Sequence, residues 1–270
     1  MARFVTFLSD FGLQDEFVGT CHGVIKRIAP DVQIIDLTHG IPPRNVLHGA
    51  LVLAKALEYV PLGVHLAVVD PGVGTSRRPL ALEDGEGRLY VGPDNGLLIP
   101  AAEAGGGIAA AHELANPRYA LDRVSRTFHG RDLFAPAAAH LALGVPPAEL
   151  GPPLDPEVLV RVTIPEAEVS SARIGATALA VDRFGNVQLN VGSDALDEAC
   201  GEPGTRVAID LPTGRRPAVV ARTFADVAPG ELVVFEDSSG NVSLAVSGGN
   251  AAAALGLGSG ERVWIEIDSR

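Results

Sequence analysis

The sequence predicts an α/β N-terminal domain with a mostly parallel sheet, plus a smaller C-terminal antiparallel β-barrel domain. Three observations carry that expectation. In the first half of the chain, short apolar runs alternate with segments whose apolar residues recur at helical spacing, the pattern of a parallel sheet with crossover helices. A Pro-rich stretch from Pro146 to Pro156 then interrupts this pattern. It marks a boundary between domains at residues 1–156 and 157–270. Beyond it, short strand-like runs are separated by Gly, Asp and Asn, and long helical patterns are missing.

Taken in order, Phe4–Leu8 is a short apolar run of the kind found in strands buried on both faces. Glu16 to Ile28 has helical spacing, with Asp15 as its expected N-cap and Pro30 as its stop. Val32–Leu37 is the next strand, Asn45–Leu57 the next helix and Val64–Val69 the third strand. This alternation implies right-handed crossovers. Shorter strands are expected at Ala81–Glu83 and Leu89–Val91, around the acidic turn Asp84–Gly87. Leu133–Leu143 is an Ala-rich helix ended by Gly144 and Pro146. The second domain should hold strands at Leu159–Ile164, Ile174–Val181, Val187–Val191, Arg206–Ile209, Val219–Arg222, Leu232–Phe235, Val242–Val246 and Val263–Ile267.

The 270 residues carry a formal net charge of −12, which argues against a nucleic-acid partner and against an anionic membrane surface. The N-terminal apolar stretch stops at Asp10, too soon for a secretory signal. No apolar run reaches the roughly 18 residues of a membrane span. Cys21 and Cys200 form no CxxC motif, and two buried thiols suit a reducing, cytoplasmic setting.

Open parallel sheets bind ligands beyond the carboxyl ends of their strands. The loops there are Ser9–Asp15, Thr38–Pro43 and Asp70–Arg78, and they gather Asp10, Asp15, Asp36, His39, Asp70, Arg77 and Arg78 at one rim. The polar segment Thr127–Asp132 precedes a helix and is placed to join them. Asp10-Phe11-Gly12 spells the kinase magnesium motif, but no Gly-rich loop or strand lysine precedes it. Gly72-Val73-Gly74 starts like a dinucleotide fingerprint, yet Arg77 stands where the third glycine belongs. His22, His39, Asp10 and Asp70 are candidate metal ligands. No His-x-His or His-Glu-x-x-His spacing accompanies them, so no metal is expected. The segment from Asp70 to Arg77 has a Gly-rich turn that lets the arginine fold back on the aspartate. That pair is either a structural brace or a carboxylate held ionised and aimed at bound water. His129 is open to a simpler role in capping the helix that follows it.

Seven blocks run in order over nearly the full length: FLSDFG (Phe7–Gly12), DLTHGIPP (Asp36–Pro43), VDPGVGTSRR (Val69–Arg78), GPDNGLL (Gly92–Leu98), TFHGRD (Thr127–Asp132), DRFGNVQLN (Asp182–Asn190) and EDSSGNVSLAVSGGNAA (Glu236–Ala252). On these blocks the sequence resembles the S-adenosyl-L-methionine (SAM) hydrolases, also called SAM hydroxide adenosyltransferases, relatives of the fluorinase and chlorinase enzymes. The resemblance implies attack of water on ribose C5′, giving adenosine and L-methionine, with SAM as substrate and no cofactor. It implies a catalytic triad of Asp70, Arg77 and His129. Asp10 matches the carboxylate that accepts the ribose hydroxyls, and Asp15 on the same loop joins the substrate contacts. Asp182 matches the residue that binds the methionyl ammonium. Phe128 and Phe184 match residues packing around adenosine, and Asn186 matches the reader of the adenine edge. A homotrimer is also implied, each site lying between one subunit's N-terminal domain and its neighbour's C-terminal domain.

The departures from the halogenating relatives bear on chemistry. Arg44 stands where they carry a tryptophan. Ser239 stands where they carry a carboxylate-binding arginine, leaving Ser238, Ser239 and backbone amides for that task. They carry an aromatic residue at the position of Asp70 and a hydroxyl-bearing one at Val73. A carboxylate repels halide, so Asp70 favours water as the nucleophile. The alternatives are a SAM-dependent halogenase and a non-catalytic adenosine- or SAM-binding protein.

Overall fold

A computed structural model of the chain describes residues 4–171 and 173–267. The chain divides into two units, the first ending at Thr163 and the second beginning at Ile164.

The first unit contains β1 (Phe4–Ser9), α1 (Phe17–Ile28), β2 (Gln33–Thr38), α2 (Val46–Ala56), β3 (Val64–Val68), β4 (Pro79–Asp84), β5 (Leu89–Pro93), α3 (Ile99–Ala104), β6 (Ile108–Glu113) and α4 (Ala135–Ala142). Its sheet has the order β2-β1-β3-β5-β4-β6. The β1–β2, β1–β3 and β3–β5 pairs are parallel, and β4 runs antiparallel to β5 and β6. Adjacent residues of β1 feed opposite faces, as the period of a strand requires. Phe7 packs with Cys21 and Ile25 of α1 and with Ala138 of α4. Leu8 packs on the other side with Leu53 of α2 and Ala101 of α3. Both faces are therefore covered, which is why β1 and β3 read as nearly unbroken apolar runs. Burying a side chain such as Phe7 contributes roughly 1.5–3 kcal/mol.

Two local expectations fail in this unit. Asp15 does not cap α1: Glu16 holds the N-cap position, and its side chain makes no capping bond. Leu159–Ile164 forms no strand. Its backbone is occupied elsewhere, because the Val160 N–H donates to Asp94 Oδ1 at 2.9 Å and Leu159 is buried in the core of the first unit. Asn45 does cap α2, accepting the His48 N–H at 3.0 Å.

The second unit contains β7 (Glu168–Ser170), β8 (Arg173–Val181), β9 (Val187–Gly192), α5 (Ser193–Cys200), β10 (Arg206–Leu211), β11 (Gly214–Val220), β12 (Leu232–Glu236), β13 (Asn241–Val246), α6 (Ala251–Leu255) and β14 (Arg262–Ile267). Seven strands close a barrel in the order β8-β9-β13-β12-β11-β10-β14, β14 pairing back to β8, while β7 adds to the outside of β8. All neighbours are antiparallel except β11–β12. In β9, Val187, Leu189 and Val191 are buried while Gln188 and Asn190 are only half-buried, the alternation of a barrel wall. Ile174 and Ala176 meet Val263 and Ile265 in the core at the closing seam.

Burial pushes the Cys21 thiol up to about 12 and the Cys200 thiol up to about 11, so both stay protonated and unreactive at neutral pH. Among the described residues no helix is long and apolar enough to cross a membrane.

Candidate active site

The triad is assembled by two loops of the first unit. After β3, the chain turns sharply: the Val73 N–H donates to the Asp70 carbonyl at 3.3 Å, and the Thr75 N–H to the Gly72 carbonyl at 3.1 Å. Gly74 has φ +77°, and a Cβ there would sit 2.4 Å from the Arg126 carbonyl oxygen. Only glycine lets this turn lie against the loop that carries His129. The turn folds Arg77 onto Asp70. Arg77 Nε lies 2.9 and 3.1 Å from the two carboxylate oxygens, and Nη2 also donates to Oδ2. The two side chains are only 9% and 6% exposed, so solvent screens the pair weakly. The guanidinium carbon lies 5.1 Å from the centre of the Phe134 ring.

Arg77 Nη2 is 3.0 Å from His129 Nδ1. A guanidinium only donates, so His129 Nδ1 accepts, and the neutral ring carries its proton on Nε2. Burial, reinforced by the nearby Arg77 charge, lowers the His129 pKa from its ordinary value, which favours this neutral form. Arg77 Nη1 is buried and makes no hydrogen bond among the described residues.

His129 is presented by a loop that leads into a π-helical turn, Gly130–Phe134, ahead of α4. Asp132 organises this loop. Its fully buried carboxylate accepts the Ser125 N–H at 2.8 Å and Arg131 Nε at 2.6 Å. Ser125 Oγ then accepts the Phe128 N–H at 3.0 Å. The arginine and this backbone donor hold the Asp132 carboxyl below the usual range despite its burial. The sequence marks Asp132 only as the end of the Thr127–Asp132 segment and assigns it no role; that role follows from burial and its partners.

Between the loops lies a cleft of about 60 Å3, lined in part by Asp10, Phe11, Asp70, Val73, Phe128 and His129. It is far smaller than a site for a drug-sized ligand, at roughly 300–1,000 Å3. A larger cavity of about 470 Å3, lined by Arg206, Arg216 and Leu232 among others, lies in the second unit and touches none of the triad. Asp10 Oδ2 accepts the Arg44 N–H at 2.8 Å, and Arg44 takes the left-handed conformation, φ +67°. Phe128 packs edge-on against Phe11 and Phe17, with centroids 5.7 and 5.1 Å away. Asp15 is exposed. Arg78 is turned away to Asp94, whose side chain is 2% exposed.

The proposed metal ligands do not come together as one group. Asp70 is held by Arg77, and Asp10 accepts from Arg44. His22 and His39 instead meet Asp36.

In the second unit, Asp182 closes the β8–β9 turn. Its Oδ1 accepts the Phe184 and Asn186 N–H groups at 2.8 and 2.9 Å, and its Oδ2 accepts Asn186 Nδ2 at 2.7 Å. Phe184 is 75% exposed, an unusual position for a large aromatic ring. Gly185 has φ +86°, and a Cβ there would strike the Asn250 amide at 2.1 Å. Ser238 and Ser239 are exposed on the β12–β13 turn, where the Ser239 N–H donates to Asp237 Oδ1 at 2.8 Å.

Comparison with known proteins bears on both units. The family model described as the SAM hydroxide adenosyltransferase N-terminal domain matches residues 5–151, and its C-terminal counterpart matches residues 176–264. The chain is 52% identical over 261 residues to the (R)-S-adenosyl-L-methionine hydrolase of Salinispora tropica, covering 97% of each. It is 30% identical to a fluorinase of Actinopolyspora mzabensis, covering 97% of this chain and 96% of that one. A solved structure, an uncharacterized conserved protein from Thermotoga maritima, matches with a TM-score of 0.90 and 36% identity, covering 97% of this chain and 99% of that one. With both domains matched in order, the chain belongs to the SAM hydroxide adenosyltransferase family.

Proposed function

We propose that this protein is an enzyme that hydrolyses SAM to adenosine and L-methionine, and that one water molecule, positioned by Asp70, Arg77 and His129, attacks ribose C5′. The observation that carries this reading is the hydrogen-bonded Asp70–Arg77–His129 chain, whose two end members line the cleft. Arg77 donates two N–H groups to the Asp70 carboxylate, the Nε–H being shared between both oxygens. A carboxylate offers roughly four acceptor positions, so capacity is left for a water proton. His129, with Nδ1 engaged by Arg77, offers Nε2–H to the water oxygen. Water held between a donor and an acceptor keeps a lone pair for C5′.

In this scheme an O–C5′ bond forms as the C5′–S bond breaks, and the bonding pair stays on sulfur. The sulfonium becomes the neutral thioether of methionine, so no general acid is needed. The water proton passes to Asp70 and then to solvent. His129 is the weaker candidate for proton acceptor, because accepting at Nδ1 would displace Arg77. Asp10 and Asp15 serve the ribose end, and Phe128, Phe184 and Asn186 the adenosine. Asp182 takes the ammonium, and Ser238 and Ser239 take the carboxylate. Those candidates fall in both units, which supports a homotrimer whose sites join one subunit's first domain with a neighbour's second. The cytoplasm supplies the reducing setting for the two protonated thiols. The names of the hydrolase relatives specify the R sulfonium epimer, and the same epimer is proposed here.

The test is incubation of the protein with each SAM epimer, with and without chloride, and chromatographic separation of the products. Adenosine and methionine in equal amounts from the R epimer are expected. A 5′-chloro-adenosine product would make halide the nucleophile. Unchanged SAM that remains bound would leave only a binding protein.

A further inference from the structure

We propose that His22, Asp36 and His39 form a binding site for one borderline divalent transition-metal ion of the Zn2+ or Co2+ kind. The site is independent of the Asp70 reading. Its three donors come from three different elements: His22 from α1, Asp36 from β2 and His39 from the loop after β2. His22 Nε2 is 2.9 Å and His39 Nε2 3.1 Å from the same oxygen, Asp36 Oδ1. All three donor atoms lie within 4.8 Å of one another.

His39 distinguishes this group from an ordinary surface cluster. Its side chain is 4% exposed, and Nε2 makes no hydrogen bond among the described residues although a carboxylate oxygen stands 3.1 Å away. The geometry to that oxygen does not make a hydrogen bond, so a buried, unsatisfied nitrogen stands beside the other two donors. Its far nitrogen, Nδ1, is 2.7 Å from Ser9 Oγ. With Nδ1–H donating to that hydroxyl, Nε2 carries the free lone pair. A metal-bound histidine usually donates its other ring N–H to an oxygen acceptor that fixes tautomer and ring orientation, and Ser9 Oγ is placed to be that acceptor. Phe7 packs against both rings, at centroid distances of 4.7 Å to His39 and 5.9 Å to His22, and restricts their rotation.

The donor set selects the ion class. Two imidazoles and one carboxylate suit Zn2+ and its neighbours, whereas Mg2+ and Ca2+ prefer all-oxygen sites. Bonds of about 2.0–2.2 Å in a tetrahedron place donors about 3.4 Å apart, so the two short spacings need to open by only a few tenths of an ångström. Exposure of 30% at His22 and 42% at Asp36 leaves the fourth position open to water. A bound ion would clamp α1 to the end of β2. It would also brace the segment carrying Asp10, because Ser9 backs His39 and the Gly12 N–H donates to the His39 carbonyl at 2.8 Å.

The test uses full-length protein stripped by a chelator and titrated with Co2+. One equivalent per chain is expected, with visible d–d absorption, and Zn2+ is expected to displace it. His22→Gln and Asp36→Asn alter partly exposed residues, and thermal melts check that each folds. Each is expected to weaken Co2+ binding by more than about 100-fold, beyond the loss seen when only an outer support is removed. Should a variant fail to fold, imidazole 15N spectra of the wild type decide, with the His22 and His39 Nε2 resonances moving on addition of Zn2+. Absence of saturable uptake, uptake unchanged in the two folded variants, or Nε2 signals unmoved by Zn2+ would overturn the proposal and leave a hydrogen-bonded His–Asp–His cluster.

Discussion

Asp70→Asn is expected to lower kcat for SAM hydrolysis by about 10^3-fold, within the range that a positioned proton acceptor supplies. KM should change by less than about threefold. The substitution keeps the shape of the side chain and one acceptor for Arg77, but removes the basic oxygen that faces the water. An equal fall in kcat and kcat/KM is the signature of an interaction made only in the transition state. The Asn amide would meet the Arg77 guanidinium with one donor facing another, because Arg77 now contacts both carboxylate oxygens. Stability should therefore fall as well, and a melting curve separates that loss from the loss of rate. Steady-state kinetics on the folded variant check the prediction. A kcat within about threefold of wild type would remove Asp70 from water activation.

Asp132→Ala should have the largest effect on stability together with an effect on turnover, although its carboxylate does not line the cleft. It removes a fully buried carboxylate, leaving the Ser125 N–H without its acceptor and the partly exposed Arg131 without its partner. The orphaned donor, with an ion pair whose arginine is a third exposed and can rehydrate, costs about 2 kcal/mol in all. In a domain of this size that corresponds to roughly 4–8 °C in Tm. Turnover should fall too, because the loop that holds His129 against Arg77 is built on the Ser125–Asp132 bond. Asp132→Asn retains an acceptor for the Ser125 N–H and should recover part of both losses. A Tm change under about 2 °C with normal kcat would show that the His129 loop is held by other means.

The parallel half of the molecule is legible in the sequence because its strands are buried on both faces. Val64–Val68 is fully buried and reads as one apolar run. Leu159–Ile164 reads as a strand for the same apolar reason. Its residues instead cover a core, and an internal aspartate, Asp94, takes its backbone donor. Such competition between a side-chain acceptor and a strand ladder depends on tertiary contact and leaves no local trace. The Asp70–Arg77 pair is legible because the two residues are close in sequence and joined by glycines. His129 lies 52 residues from Arg77; its polar segment ahead of a helix is placed to join the rim, and the ordered family blocks pair it with Arg77. Asp36 and His39 stood out as rim residues, but His22 meets them only because one face of α1 packs beside the end of β2. Helical periodicity identifies the buried stripe of α1 without saying which strand end it meets.

In the proposed reaction, water forms the new bond to C5′. Running the reaction in 18O-labelled water and analysing the adenosine by mass spectrometry tests it directly. One labelled oxygen per adenosine, located in the 5′-hydroxyl, with methionine unlabelled, is the predicted result. Adenosine without label, or a product bearing another nucleophile at C5′, would contradict it.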